Sequence, residues 1–198
     1  MKQQSNPWIS ISDLLSSVVL ILLLLFIMAS IVPKCSMDSQ RLEMMNQINL
    51  ALKEYEKEGL VKVHRESGVL EFTSVTFDQG SAQLNSNTEH LVEEMSKKLQ
   101  VYLKEKPNLE ILIEGHTDPS AVHNVVNIGG YYDSNIQLSA LRAINVRNTL
   151  LRHVGAEYSG RIGVAGYGET RLKNKDNPMA SENRRVEIRL LWSNTENK

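Results

Sequence analysis

Leu14 to Val32 is an uncharged run, apolar but for Ser16, Ser17 and Ser30, and Asp13 stands immediately before it. At 1.5 Å per residue, about 20 helical residues cross the hydrocarbon core of a bilayer, so the pattern predicts a membrane-spanning helix. Asn6-Pro7 supplies a helix-capping residue followed by a proline at the first helical position, where its missing N–H costs nothing. Trp8 suits the interfacial aromatic belt. A helix over 7–33 places Asp13 nearly two turns inside, on a polar stripe with Ser10, Ser16 and Ser17 at helical spacing. The competing reading is a cap, because Ser10-x-x-Asp13 also matches a capping box.

Beyond Pro33 the pattern changes. Asp38 to Glu58 is charged and lacks glycine and proline, with Leu42, Met45, Ile48, Leu52 and Tyr55 recurring at steps of three and four. That narrow seam predicts a helix that pairs with its own copy in a dimer or packs on the chain's own globular domain. Gly59 ends it. From Val69 the pattern alternates between strand and helix: strands over 69–77, 109–114, 162–167 and 186–192, and helices over 86–105 and 138–153. Asp78 to Ser81 breaks the first strand, and Pro107 stops the first of the two helices. The fold class expected is a single transmembrane helix plus an α/β (α+β) domain, a mixed sheet covered on one face by helices. The divisions are a tail over 1–6, the membrane helix over 7–33, a helical connector over 34–67, the α/β domain over 68–193 and a tail over 194–198.

Composition narrows the function classes. With 198 residues and a formal net charge of −1, nothing marks a nucleic-acid binder. One cysteine excludes an intrachain disulfide, and the five histidines lack a metal-ligand spacing, so no metal and no cofactor is expected. A cleaved signal peptide would need a shorter apolar core, more basic residues before it and a small-residue cleavage site, so the segment is expected to stay uncleaved. Basic residues are scarce on both flanks of the span, which leaves its orientation near a tie by charge alone. No nucleophile–base pair stands out, and an enzyme is not expected.

Four motifs then carry a resemblance. Ile113-Glu114-Gly115-His116-Thr117-Asp118, Asn135-x-x-Leu138-Ser139-x-x-Arg142-Ala143-x-x-Val146, Gly166-Tyr167-Gly168-Glu169 and Asn183-Arg184-Arg185-Val186-Glu187 resemble, in order, the OmpA-like peptidoglycan-binding domain. The resemblance implies that Asp118 and Arg142 grip the free ends of diaminopimelate in the wall peptide, with Asn135 and Arg184 shaping the site. The chemistry suits the residue types: a carboxylate holds an ammonium, and a guanidinium fork holds a carboxylate. Read without the motif, each arginine is a surface ion pair and Asn135 a helix-entry cap. His116 is expected to pack and hydrogen-bond locally, and Gly166-Tyr167-Gly168 to turn the chain after a strand. The stretch between Asp118 and Asn135, through Asn124, Asn127, Gly129-Gly130 and Tyr131-Tyr132, is longer than in many members of that family, and it flanks the expected pocket.

Trp8-Ile9-Ser10-Ile11-Ser12-Asp13-Leu14 ahead of one membrane helix looks like the start of MotB-type stator subunits. That resemblance implies that Asp13 takes up and releases the driving ion, H+ or Na+. It implies a multi-span partner resembling MotA or ZorA, an anchorage to peptidoglycan and a homodimer in the bacterial inner membrane with the C-terminal domain periplasmic. Only about 35 residues separate Pro33 from the α/β domain, and their helical part covers roughly 30 Å. This compact plan is similar to the membrane subunit of Zorya anti-phage systems, ZorB. The alternatives left open are a flagellar-type stator subunit and a passive tether between membrane and wall.

Overall fold

The computed structural model describes residues 7–73, 77, 81–120, 122, 125–127, 130–132 and 134–192. The chain divides into two compact units, Met1–Arg41 and Leu42–Lys198. The expected tails over 1–6 and 194–198 lie outside the described residues.

Helix α1 is Pro7–Ala51. It starts at the proline, so Asp13 lies inside the helix and not at its cap. Within the first unit, Ile11–Ala29 is long and apolar enough to cross a membrane, and none of it is buried. The hydroxyls of Ser16 and Ser17 donate to the carbonyls of Ser12 and Asp13 at 2.8 and 2.9 Å. These hydroxyls are satisfied within the helix, as serines in apolar helices often are. The division drawn after Pro33 does not interrupt the helix: the helical backbone continues through it.

The second unit departs from the expected connector over 34–67. Met44, Met45, Ile48 and Leu52 are buried in the same apolar core as the sheet and its helices. The seam therefore packs on the chain's own domain. Leu42, counted in the seam, is 44% exposed, whereas Met44, off the expected register, is 2% exposed. Helix α2, Lys53–Lys57, follows, and Gly59 turns the chain at φ 73°, with Leu60 N–H donating to the Tyr55 carbonyl at 3.0 Å. Strand β1, Val61–His64, also falls inside the expected connector; it pairs antiparallel with β2, Val69–Phe72. A four-residue edge strand with one fully buried residue carries too short an alternation to stand out in sequence.

The remaining elements are α3 (Ser86–Glu105), β3 (Leu109–His116), the short pair β4 (Val125–Asn127) and β5 (Gly130–Tyr132), α4 (Asn135–Val154), β6 (Ile162–Gly166) and β7 (Arg185–Trp192). Asn85 starts α3 by accepting the Thr88 N–H at 2.9 Å. The main sheet runs β1-β2-β7-β3-β6, and only β3 and β6 are parallel, joined through α4. One face, with Leu70, Phe72, Ile111, Ile113, Val186 and Ile188, meets Leu91, Met95, Leu99, Val146 and Leu150 of α3 and α4. The mixed sheet covered on one face by helices is thus as expected. Of the strand expected over 69–77, residues 69–72 form β2 and Phe77 makes a lone bridge to Leu84; 74–76 and the break at 78–80 lie outside the described residues.

The other sheet face is charged. Glu71, Glu187 and Glu114 stand in one row across β2, β7 and β3. Three like charges directly opposite one another are destabilising unless neutralised. Lys173 pairs with Glu71, Arg185 with Glu187, and Arg189 with both Glu114 and Glu187.

Candidate functional site

The site forms where β3, α4 and β7 bring their ends together. Gly115 and Gly166 are register partners on β3 and β6, and α4 lies against both. Beyond β3, the Thr117 N–H donates to the Gly168 carbonyl at 2.9 Å, and the Gly168 N–H donates to Ser139 Oγ at 2.9 Å. Gly168 takes φ +52°, the left-handed conformation that favours glycine, so Gly166-Tyr167-Gly168 is a turn after a strand. These bonds tie the end of β3, where Asp118 emerges, to the start of α4, where Asn135 sits.

Asp118 is 5% exposed, and each of its carboxylate oxygens has a partner. Oδ1 accepts the Ser120 N–H at 3.1 Å, and Oδ2 accepts Arg184 Nη1–H at 2.5 Å. Burial alone would raise the Asp118 pKa; the hydrogen bonds from Arg184 and Ser120 outweigh it and hold the carboxyl below its ordinary range. Asn135 Nδ2 donates to the Ser120 carbonyl at 3.1 Å. Ser120 thus links Asp118 to Asn135 through its own backbone. The helix cap is Ser134, whose Oγ accepts the Gln137 N–H, which leaves the Asn135 amide to the loop.

Arg142 is 5% exposed on α4, with Nε–H donating to the Ser81 carbonyl at 3.0 Å and its guanidinium 5.1 Å from the Phe77 ring centre. One turn on, Asn145 Nδ2 donates to the Ala82 carbonyl at 2.7 Å. Arg142 is therefore buried, not a side chain of the surface. Of the four residues expected here, Asp118, Asn135 and Arg184 are joined directly or through Ser120, and the bonds described for Arg142 run to the 77–81 segment.

Two residues of this region had no role in the sequence reading. Ser120 was one; an aspartate whose side chain accepts the N–H two residues on is a local turn signal that could have flagged it. Asn183 was the other. It is fully buried beside Arg184; its Oδ1 accepts the Lys173 and Asn174 N–H groups, and its Nδ2 donates to the carbonyls of Asn174, Asn177 and Pro178. It braces the loop that carries Arg184. The side chains of the long stretch before Asn135 fall mostly outside the described residues, so the expected effect of Asn124, Gly129 and Tyr131-Tyr132 on the pocket lies there too.

His116 stacks on Tyr167 with ring centres 5.4 Å apart, but neither ring nitrogen has a hydrogen-bond partner, which corrects the expected local bond. With Glu114 and Glu187 it forms a group whose ligand-type atoms lie within 4.8 Å of one another. Arg171, Arg185 and Arg189 already pair with those carboxylates. Their charge opposes a divalent cation there. Burial first, then the nearby Arg185, lowers the His116 pKa to about 4, so the ring is neutral at pH 7.

Comparison with known proteins gives the same family as the motifs. Residues 76–185 match the model of the OmpA family. The chain belongs to the OmpA family. It is 33% identical over 164 residues to the uncharacterized protein YtxE of Bacillus subtilis, covering 80% of this chain and 63% of that protein. It is 32% identical over 120 residues to Motility protein B of the same organism, covering 60% of this chain and 42% of that one. The chain thus spans less than two thirds of the length of either relative. The cell wall anchor of the T6SS from Pseudomonas aeruginosa shares the fold with a TM-score of 0.58 and 22% identity, over 74% of this chain and 96% of that one. This is an OmpA-family protein with MotB relatives.

Proposed function

We propose that the chain is the wall-anchored stator subunit of an ion-driven motor in the bacterial inner membrane, with its OmpA-family domain in the periplasm. The observation that carries the reading is Asp13: a carboxylate in the second turn of a helix that is uncharged, mostly apolar and exposed from Leu14 to Ala29. An ionisable group there costs free energy, which a tether has no reason to bear. Asp13 changes charge by one on taking up H+, or pairs with Na+, and either event alters its contacts with a partner and biases a two-state movement. The membrane field supplies about 2.3 kcal/mol per charge for each 100 mV. One helix makes no ion path, so a multi-span partner of the MotA or ZorA kind completes it. Two copies of this chain are proposed per complex.

At the other end, Asp118 holds the free ammonium of the wall peptide's diaminopimelate and Arg142 its carboxylate, with Asn135 and Arg184 framing them. The work is binding and force-bearing, without catalysis. Only residues 30–41 separate the span from the second unit, a compact plan that favours a Zorya-type anti-phage motor over a flagellar one.

The test is Asp13→Asn in the native host, scored three ways: ion flux through the purified complex, protection against phage, and retention on isolated cell walls. The motor reading expects flux and protection to vanish while assembly and wall retention persist. Flux and protection equal to the native protein's would leave a passive tether.

A further inference from the structure

The carboxylate proposed to take the ligand's ammonium already holds a cation. Arg184 Nη1 donates to Asp118 Oδ2, and Ser120 N–H occupies Oδ1. Asp118 is nearly closed to solvent, its side chain 7% exposed, while the Arg184 side chain is 39% exposed. The partner open to solvent is thus the arginine. Its backbone is braced: it follows the 3₁₀ turn Ser181–Asn183, and Asn183 bonds the loop at 173–178 through both its Oδ1 and its Nδ2. Arg184 is an exposed arm on a braced shoulder.

Charge counting sets what can displace it. Breaking the pair to admit a bare amine leaves a guanidinium beside an ammonium, two like charges around one carboxylate, a costly arrangement in a partly buried site. An amino-acid end carries its own carboxylate on the same carbon as its ammonium. Such a ligand exchanges one ion pair for two and strands no charge.

We propose that Arg184 is an internal competitor that selects for a zwitterionic amino-acid end: it occupies the ammonium position on Asp118 in the free protein and, when the ammonium replaces it, turns to join Arg142 on the ligand's carboxylate. The inference rests on the wall-peptide reading above and adds a selection rule to it. Amidation of the carboxylate beside the free amine, a change that leaves the amine intact, removes the group that receives Arg184. Binding then loses a charge-assisted pair and keeps a stranded guanidinium.

Titration calorimetry on the full-length protein in detergent tests this with two soluble wall tripeptides. One ends in meso-diaminopimelate; the other is amidated at the carboxylate beside its free amine. The native protein should prefer the free acid by about tenfold or more, the worth of one charge-assisted hydrogen bond. Arg184→Gln should bind the amidated peptide more tightly than the native protein does, and the preference should shrink to the share that Arg142's contact with the carboxylate imposes. Arg184→Lys, which keeps a cation within reach of Asp118, should retain the penalty against the amide. Amide binding in Arg184→Gln that is equal to or weaker than in the native protein overturns the inference. Asp118→Asn separates the two levels. If the native protein binds both peptides and Asp118→Asn loses both, the wall-peptide reading stands and only the Arg184 comparison decides. If the native protein binds neither, or Asp118→Asn binds as well as it does, that reading and the exchange both fall.

Discussion

A Cβ built on Gly115 would stand 2.0 Å from the carbonyl oxygen of Ser139. Its register partner Gly166 is nearly as tight, with a Cβ 2.7 Å from the Cβ and the amide nitrogen of Ala140. Two glycines side by side on the parallel strands let the first turns of α4 rest on the sheet backbone itself. That contact sets where Asn135 and Asp118 meet. Gly115→Ala should lower stability by about 3 kcal/mol through overpacking and should weaken wall binding with it. Thermal unfolding and retention on isolated walls measure the two; a variant as stable as the native protein would refute the contact.

The Leu42-to-Tyr55 seam belongs to the core of its own domain, which separates two substitutions on it. Ile48, fully buried, should cost about 3 kcal/mol as Ile48→Ala, the ordinary loss for a large core side chain. Leu42→Ala, at a 44% exposed position, should change stability by no more than about 0.5 kcal/mol. Urea unfolding followed by Trp192 emission reports both, since Trp192 packs against that core. Equal costs at the two positions would mean that the seam works by pairing helices.

Asn183→Ala removes both ends of a five-bond brace around the loop before β7. Buried backbone groups left without partners cost roughly 1–3 kcal/mol each, so a loss of about 3 kcal/mol or more is expected. Limited proteolysis should then cut at Lys173 or Lys175, positions resistant in the native protein. Wall binding should fall too, because Arg184 loses its fixed base.

His116 makes stability depend on pH above the range where carboxylates act. Its folded pKa lies at about 4, below the ordinary value of 6.5, so the unfolded chain binds the proton first as pH falls. Stability from this group is therefore complete above pH 6.5 and is lost as pH falls toward 4, by about 3 kcal/mol in all. Glu71 and Asp118, whose pKa values are lowered, add their own losses only below their ordinary values of 4.5 and 3.8. Urea unfolding at pH 7.5, 6 and about 4.5 should show the decline in the native protein and a flatter profile in His116→Gln. An unchanged profile in the variant would place the acid sensitivity elsewhere.

Much of this was legible in the residues. The helix over Ser86–Glu105 was expected at those bounds, because its apolar positions repeat at the helical period and Pro107 stops it. The strand at Leu109 was expected because alternation over six residues marks a half-buried strand. Strand β1 escaped notice: four residues beside a turn offer too few repeats. The four motifs placed Asp118, Asn135 and Arg184 in one neighbourhood but did not include Ser120 and gave Asn183 no role, because the work of both is done on backbone groups that only the folded loops bring to them.

By itself the sequence determined the apolar helix long enough to cross a membrane, the position of Asp13 within it, the order of most elements and the family, since each depends on periodicity or on residue types at short spacing. The tertiary structure decided what no spacing encodes. It assigned the 44–52 seam to the domain's own core, because the competition between a partner helix and a sheet is settled by which apolar surface lies within reach. It lined three glutamates across neighbouring strands with the lysine and arginines that neutralise them, because register is a property of pairs of strands. It also gave Arg184 to Asp118: an ion pair between residues 66 positions apart forms only where the fold brings the ends of two strands together.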